Sequence, residues 1–301
     1  MSTAFYFHPV CIDHDPGSMH PECPDRLRAV AKALEGEEFK ELDRREPPKA
    51  TLEQLDRAHD SDYVRSVLDN VPTEGLVYLD GDTAMSPASG EAALRAAGGI
   101  CAAVDAVVSG KVQNAFCAHR PPGHHAETSR ANGFCFINNA AVTARYLQSK
   151  FNINKIAIID FDVHHGNGTQ EIFYNDKSVF YGSIHQHPLF PGTGAETETG
   201  VGNIFNAPIS SDTTRDKFME IFETKILKNI DLFEPEIILI SAGFDAHKRD
   251  PLGGINLESK DFFTLTQSIV EIAKRHSNGR VISFLEGGYD LQALAECIEA
   301  H

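Results

Sequence analysis

Residues 155–168 read Lys155-Ile156-Ala157-Ile158-Ile159-Asp160-Phe161-Asp162-Val163-His164-His165-Gly166-Asn167-Gly168. The first half is a short β-branched run, apolar on both faces, which is the pattern of a parallel strand buried between layers of helices. The second half turns abruptly polar and crowds aspartate, histidine, asparagine and glycine together. In open α/β sheets the carboxyl ends of the strands form the ligand crevice. A strand that runs straight into such a cluster therefore predicts both the fold class and the place of the site.

Working outward, the same arrangement recurs. Strands are predicted at Ala4–Phe7, Asn114–Ala118, Lys155–Ile159, Val179–Ile184, Glu236–Ser241 and Arg280–Leu285. Between them lie helices such as Gly90–Val108 and Asn138–Lys150. Phe218, Ile221, Phe222, Ile226 and Ile230 recur at helical spacing in Thr214–Phe233, and Phe262, Leu265, Ile269 and Ile272 in Ser259–His276. The alternation predicts an α/β fold with a central, mainly parallel β-sheet flanked by helices. With no repeat or linker, residues 1–301 are read as a single domain; the last helix, from near Asp290, meets the end of the sequence at His301 and is read as cut short.

Four polar clusters directly follow predicted strands: His119–His125, Asp160–Gly168, Gly243–His247 and Glu286–Tyr289. They should converge at one edge of the sheet.

Composition narrows the function classes. The 301 residues include 43 Asp and Glu against 27 Lys and Arg, a formal net charge of −16. That balance repels a phosphate backbone and argues against nucleic acid. It suits cationic substrates as well as plain solubility. Six scattered cysteines without a CxxC pair argue against a disulfide framework or a Cys-ligated zinc. No signal-peptide pattern and no apolar stretch near the roughly 20 residues of a membrane span are visible, so a cytoplasmic protein is expected.

The clusters carry specific chemistry. Asp162 and His164 are two apart, so on an extended segment they face the same side. Asp245 can supply a third donor. Two oxygens and one nitrogen, with a position left open, suit a catalytic zinc. In Arg120-Pro121-Pro122-Gly123-His124-His125 two imidazoles are presented on a stiffened turn, and histidine is the natural general base or acid near neutral pH. Glu286-Gly287-Gly288-Tyr289 would let a phenol approach a developing oxyanion.

Taken together with His20-Pro21-Glu22-Cys23-Pro24-Asp25-Arg26, Gly133-Phe134-Cys135 and Phe190-Pro191-Gly192-Thr193-Gly194, these motifs resemble the histone deacetylase family, its class II branch in particular, over nearly the whole chain. The resemblance implies an arginase-like α/β fold with a narrow pocket over zinc. It matches Asp162, His164 and Asp245 to the zinc ligands and His125 to the general base. His124 matches the electrostatic partner held by Asp160, and Tyr289 the residue that polarises the amide carbonyl. Phe134 and Phe190 match aromatic walls around an aliphatic lysine stem, with Gly133 beside them. Leu252, His20, Pro21 and Asp82 match positions around the mouth. A structural potassium is implied near Asp160, Asp162, His164, Ser183 and Ile184.

Two departures from the class I pattern stand out. Asn167 stands where class I members carry an aspartate behind the base, so His125 should stay neutral more readily and Asn167→Asp should raise the alkaline limit of the pH–rate profile. Glu286 replaces a glycine.

The expected activity is hydrolysis of an N-acetyl-lysine or acyl-lysine side chain. The alternatives are a small-molecule amidohydrolase acting on acetylpolyamines, which Leu252 disfavours, and a non-catalytic acyl-lysine binder. A binuclear manganese hydrolase would need further carboxylates that these motifs lack. Oligomeric state is not predicted.

Overall fold

The structure is a computed structural model and describes residues 2–301; Met1 lies outside the described residues. Ten strands form in chain order: β1 (Thr3–Phe7), β2 (Asp43–Arg45), β3 (Val77–Tyr78), β4 (Ala84–Met85), β5 (Asn114–Ala118), β6 (Ile156–Asp160), β7 (Val179–Gln186), β8 (Ile204–Ile209), β9 (Ile237–Ala242) and β10 (Val281–Leu285). Eight of them make one sheet in the order β2-β1-β5-β10-β9-β6-β7-β8, and β3 pairs with β4 in a separate hairpin. Every pairing in the large sheet is parallel.

Side chains alternate across this sheet as a period of two requires. Ile156 and Ile158 of β6 face a core shared with the helices Ser89–Val108 and Asn139–Phe151. Ala157 and Ile159 face the other core, built with Pro24–Ala33, Ser259–His276 and Leu291–Ala300. Both faces of the strand are thus covered, which is why it reads as an uninterrupted apolar run.

All six predicted strands are present, with ends shifted by a residue or two. The predicted helix Thr214–Phe233 is continuous but widens into a π-helical stretch over Phe222–Leu227. Thr214 caps its start through Oγ1, which accepts from the Lys217 amide. The final helix begins at Leu291, with Asp290 accepting the Ala293 amide at 2.7 Å. Sequence patterning missed β2 and β8 of the large sheet and both strands of the β3–β4 hairpin. Among the described residues no helix is long and apolar enough to cross a membrane.

The topology has one consequence for the site. The strands that precede the four polar clusters, β5, β10, β9 and β6, are consecutive neighbours in the middle of the sheet. Their carboxyl ends open side by side.

Candidate active site

Asp162 and His164 leave the end of β6, and Asp245 leaves the end of the adjoining β9. One donor atom from each lies within 4.8 Å of the others, and all three side chains are buried. His164 Nδ1 stands 3.1 Å from Asp162 Oδ1 and 3.0 Å from Asp245 Oδ2. Backbone amides hold the other carboxylate oxygens: Gly287 N donates to Asp162 Oδ2 at 2.8 Å, and Val163 N to Asp245 Oδ1 at 2.8 Å. Residue 287 must be glycine, because a Cβ there would collide with both carboxylates.

The three groups set one another's protonation. Burial disfavours the charge of each carboxylate, yet the imidazoles of His124 and His164 outweigh it at Asp162 and hold that group below the usual range. Asp245 is pushed up to about 7, by burial and then by the charge of Asp162. Burial opposes protonation of His164, but the two carboxylates prevail and push it up to about 10. Two carboxylate oxygens and one imidazole nitrogen, buried and within reach of one point, are a donor set that fits a divalent ion. Among the described residues this is the one group of His, Cys, Asp and Glu side chains spaced to share a metal.

The paired histidines follow β5, with ring centroids 4.0 Å apart. His124 Nδ1 bonds Asp160 Oδ2 at 2.9 Å, and the same oxygen accepts from Tyr181 at 3.0 Å. Burial would depress His124, but Asp160, Asp162 and Glu286 outweigh it and push it up to about 10. His125 behaves oppositely. Burial, then the neighbouring charges of His124 and His164, push it well below its usual value. Its tautomer is fixed from behind. Asn167 Nδ2 donates to Glu127 Oε1 at 2.8 Å, which turns Asn167 Oδ1 toward His125 Nδ1, 2.8 Å away. An amide oxygen only accepts, so Nδ1 carries the hydrogen and Nε2 is left with a free lone pair.

Tyr289 follows β10 on a turn held from several sides. Arg26 donates from Nε to the Gly288 carbonyl and from Nη2 to the Glu286 carbonyl, each at 2.6 Å, and its guanidinium lies 4.9 Å over the Tyr289 ring. Glu22 anchors both Arg26 and Arg120 in the interior. The Glu286 side chain reaches across to accept from Gly123 N at 2.7 Å and His124 N at 3.2 Å, tying the tyrosine turn to the histidine turn. Asp250 accepts the Tyr289 amide at 2.6 Å.

These groups share a cavity of about 260 Å³ whose walls include Asp82, His125, Gly133, Phe134, His164, Leu189, Phe190, Leu252 and Tyr289. Phe134, in a left-handed conformation (φ 69°), meets Tyr289 edge-on at 6.1 Å; Phe190 meets His125 edge-on at 5.0 Å.

The structure therefore brings together most residues singled out in the sequence. His20 stands behind the wall, edge-on to Phe134 at 4.7 Å and 3.1 Å from the Asp82 carbonyl. Pro21 is half-buried and is not part of the cavity wall. Asp160 and Ser183 are register partners on β6 and β7, with Ile184 next along the strand. The Asp160 carboxylate is engaged by His124 and Tyr181, and the Ser183 hydroxyl by His185 at 2.9 Å.

Sequence reasoning missed Leu189, Asp250 and the buried Glu22, Arg26 and Arg120. Glu22 and Arg26 sat in a quoted motif four residues apart, one helical turn, and that spacing was the available signal.

Comparison with known proteins agrees with this architecture. A crystal structure titled HDA15 HD domain superposes with a TM-score of 0.94 at 36% identity, over 99% of this chain and 86% of that one. The fold is thus arginase-like, with a candidate three-donor metal site at the strand ends. The description of the histone deacetylase domain matches residues 20–301, and the chain belongs to that family. A probable deacetylase of Archaeoglobus fulgidus is 38% identical over 97% of this chain and 82% of its own length. Type-2 histone deacetylase 2 of Dictyostelium discoideum is 34% identical over 99% of this chain, which spans 20% of that longer protein.

Proposed function

We propose that this chain is a zinc-dependent deacylase that hydrolyses the amide of N-acetyl-lysine or a related acyl-lysine side chain to a free amine and a carboxylate. One observation carries the reading: His164 of the three-donor cluster, a His125 whose Nε2 is left with a free lone pair and the Tyr289 side chain all border one aromatic-walled cavity.

Asp162, His164 and Asp245 would hold the ion. When bound, zinc supplies a Lewis acid that polarises the amide carbonyl and makes water nucleophilic near neutral pH. His125 takes the proton of the attacking water on Nε2 and returns it to the leaving amine. Its low proton affinity keeps it ready as a base. His124, cationic between three carboxylates, lends positive charge near the oxyanion, and Asp160 holds its ring. Tyr289 donates its phenolic hydrogen to the same oxyanion. Phe134 and Phe190 enclose the four-carbon lysine stem and exclude water, with Leu252 and Asp82 at the rim.

A structural potassium is also proposed, beside Asp160, Asp162, His164, Ser183 and Ile184; with the Asp160 and Ser183 side chains engaged elsewhere, backbone carbonyls would form most of its shell. The six unpaired cysteines fit a reducing cytoplasm.

The test combines metal analysis with an assay panel of acetyl-lysine peptides, longer acyl-lysines and acetylputrescine. About one zinc per chain and turnover of the lysine peptides are expected. His125→Ala and Tyr289→Phe should each cut kcat by a factor of roughly 10² to 10³ with zinc retained. Near-normal rates in both variants would end this mechanism.

A further inference from the structure

His164 and His165 are adjacent, yet their rings serve different neighbourhoods. His164 turns Nδ1 to the two aspartates, whereas the buried His165 faces the loop after β7 that carries Phe190. We propose that His165 is a positioning residue: through Thr193 it fixes the loop and thereby sets how far the Phe190 wall stands from the metal-ligand side of the pocket. This rests on the reading of Phe190 as a wall for the acyl-lysine stem.

The geometry is a chain of enforced orientations. Glu198 Oε2 accepts from Gln170 Nε2 at 2.6 Å, which turns the Gln170 amide oxygen toward His165 Nε2 at 3.1 Å. That oxygen only accepts, so His165 Nε2 carries the hydrogen and Nδ1 accepts from the Thr193 hydroxyl at 2.7 Å. The His185 ring lies 4.7 Å from that of His165 and donates from Nε2 to the Gly194 carbonyl at 3.0 Å. Glu198 also accepts the Gly194 amide at 3.1 Å. Gly194 has φ +86°, and a Cβ there would come within 2.5 Å of His185 Nε2 and 2.6 Å of the His165 ring, so the loop rests directly on the two imidazoles.

Phe190, by contrast, is 42% exposed. Its ring sits 5.0 Å from that of His125 and 6.4 Å from that of His164. Its place is inherited from the bolted turn at Thr193 and Gly194. Thr193 itself is exposed, but the two imidazoles and Gln170 on which the turn rests are buried and hydrogen-bonded, and such buried partners favour one geometry.

The experiment uses the zinc-loaded protein and four variants: Thr193→Val, which keeps the shape and removes the donor; Thr193→Ser, which restores it; Phe190→Ala; and Phe190→Ala with Thr193→Val. Losing one such hydrogen bond should raise KM for an acetyl-lysine peptide about fivefold with kcat and zinc content unchanged. Amide exchange across residues 189–195 should accelerate, and the serine variant should behave as wild type. In the Phe190→Ala background the valine change should shift KM no further, because its effect passes through that ring. An additive effect on KM, or unchanged KM and exchange in Thr193→Val, would overturn the proposal. A wild-type protein inactive on every acyl-lysine would instead sink the functional reading, and the exchange measurement would still decide whether Thr193 bolts the loop.

Discussion

Asn167 shows how one neutral side chain sets the working state of a base. Its oxygen accepts from His125 Nδ1 but adds no charge, so it favours the imidazolium less than a carboxylate in its place would. Asn167→Asp would place a carboxylate 2.8 Å from the ring nitrogen and raise the proton affinity of His125. His125 would then remain protonated to higher pH, so both limbs of the pH–rate profile should move upward. A profile that coincides with wild type would refute the link. The acidic, histidine and tyrosine residues of the four clusters were legible because each cluster follows an apolar strand, whereas Phe134, Phe190, Leu252, His20, Pro21 and Asp82 were named only through the resemblance of their motifs. Arg26, Arg120 and Asp250 were not, since their roles are hydrogen bonds to the backbone of distant turns, and sequence spacing carries no record of those partners.

Elements explain how the metal-ligand turns are braced. Phe161 precedes Asp162 and Phe244 precedes Asp245; both aromatic rings point into the core against Phe262 of the helix Ser259–His276, at 6.0 and 5.2 Å. One helical residue thus supports ligands from two strands. Phe262→Ala should cost about 3–5 kcal/mol of stability, the usual range for deleting a buried ring. It should also weaken zinc binding, read by competition with a chelator; unchanged affinity would show that the ligand turns do not depend on this packing. The central strands were readable because covering on both faces leaves an unbroken apolar run. β2 was not, because Asp43-Arg44-Arg45 is a polar edge strand recognised only through its pairing with β1. β8 was hidden by Asn206 and Pro208, whose interruption of the pattern is tolerated at the other edge of the sheet.

For the whole molecule, buried neutral histidines set the tolerance to acid. Burial lowers His59, His119 and His185 each to about 4. His59 is neutral in the fold: Nε2 accepts the Asn138 amide at 2.8 Å while Nδ1 faces the Glu127 carbonyl. Unfolded, each would take a proton below about pH 6.5. Through these three histidines the unfolded chain binds up to three more protons between pH 6.5 and 4, a contribution that lowers stability by about 4 kcal/mol per pH unit at full slope. Above pH 6.5 these groups contribute no pH dependence. Urea midpoints measured at pH 7 and pH 5 should separate accordingly, and equal midpoints would contradict the assignment. His59→Gln should reduce the slope by the share of one proton.

Asp162 and His164 hang from β6 and Asp245 from β9, and the hydrogen-bonded register of those two strands fixes the distance between them. In a zinc finger the ion folds the polypeptide; here the polypeptide gathers the ligands. If zinc binds there as proposed, it would enter a cradle already shaped by the sheet, so scarcity of the ion would limit how many folded copies work.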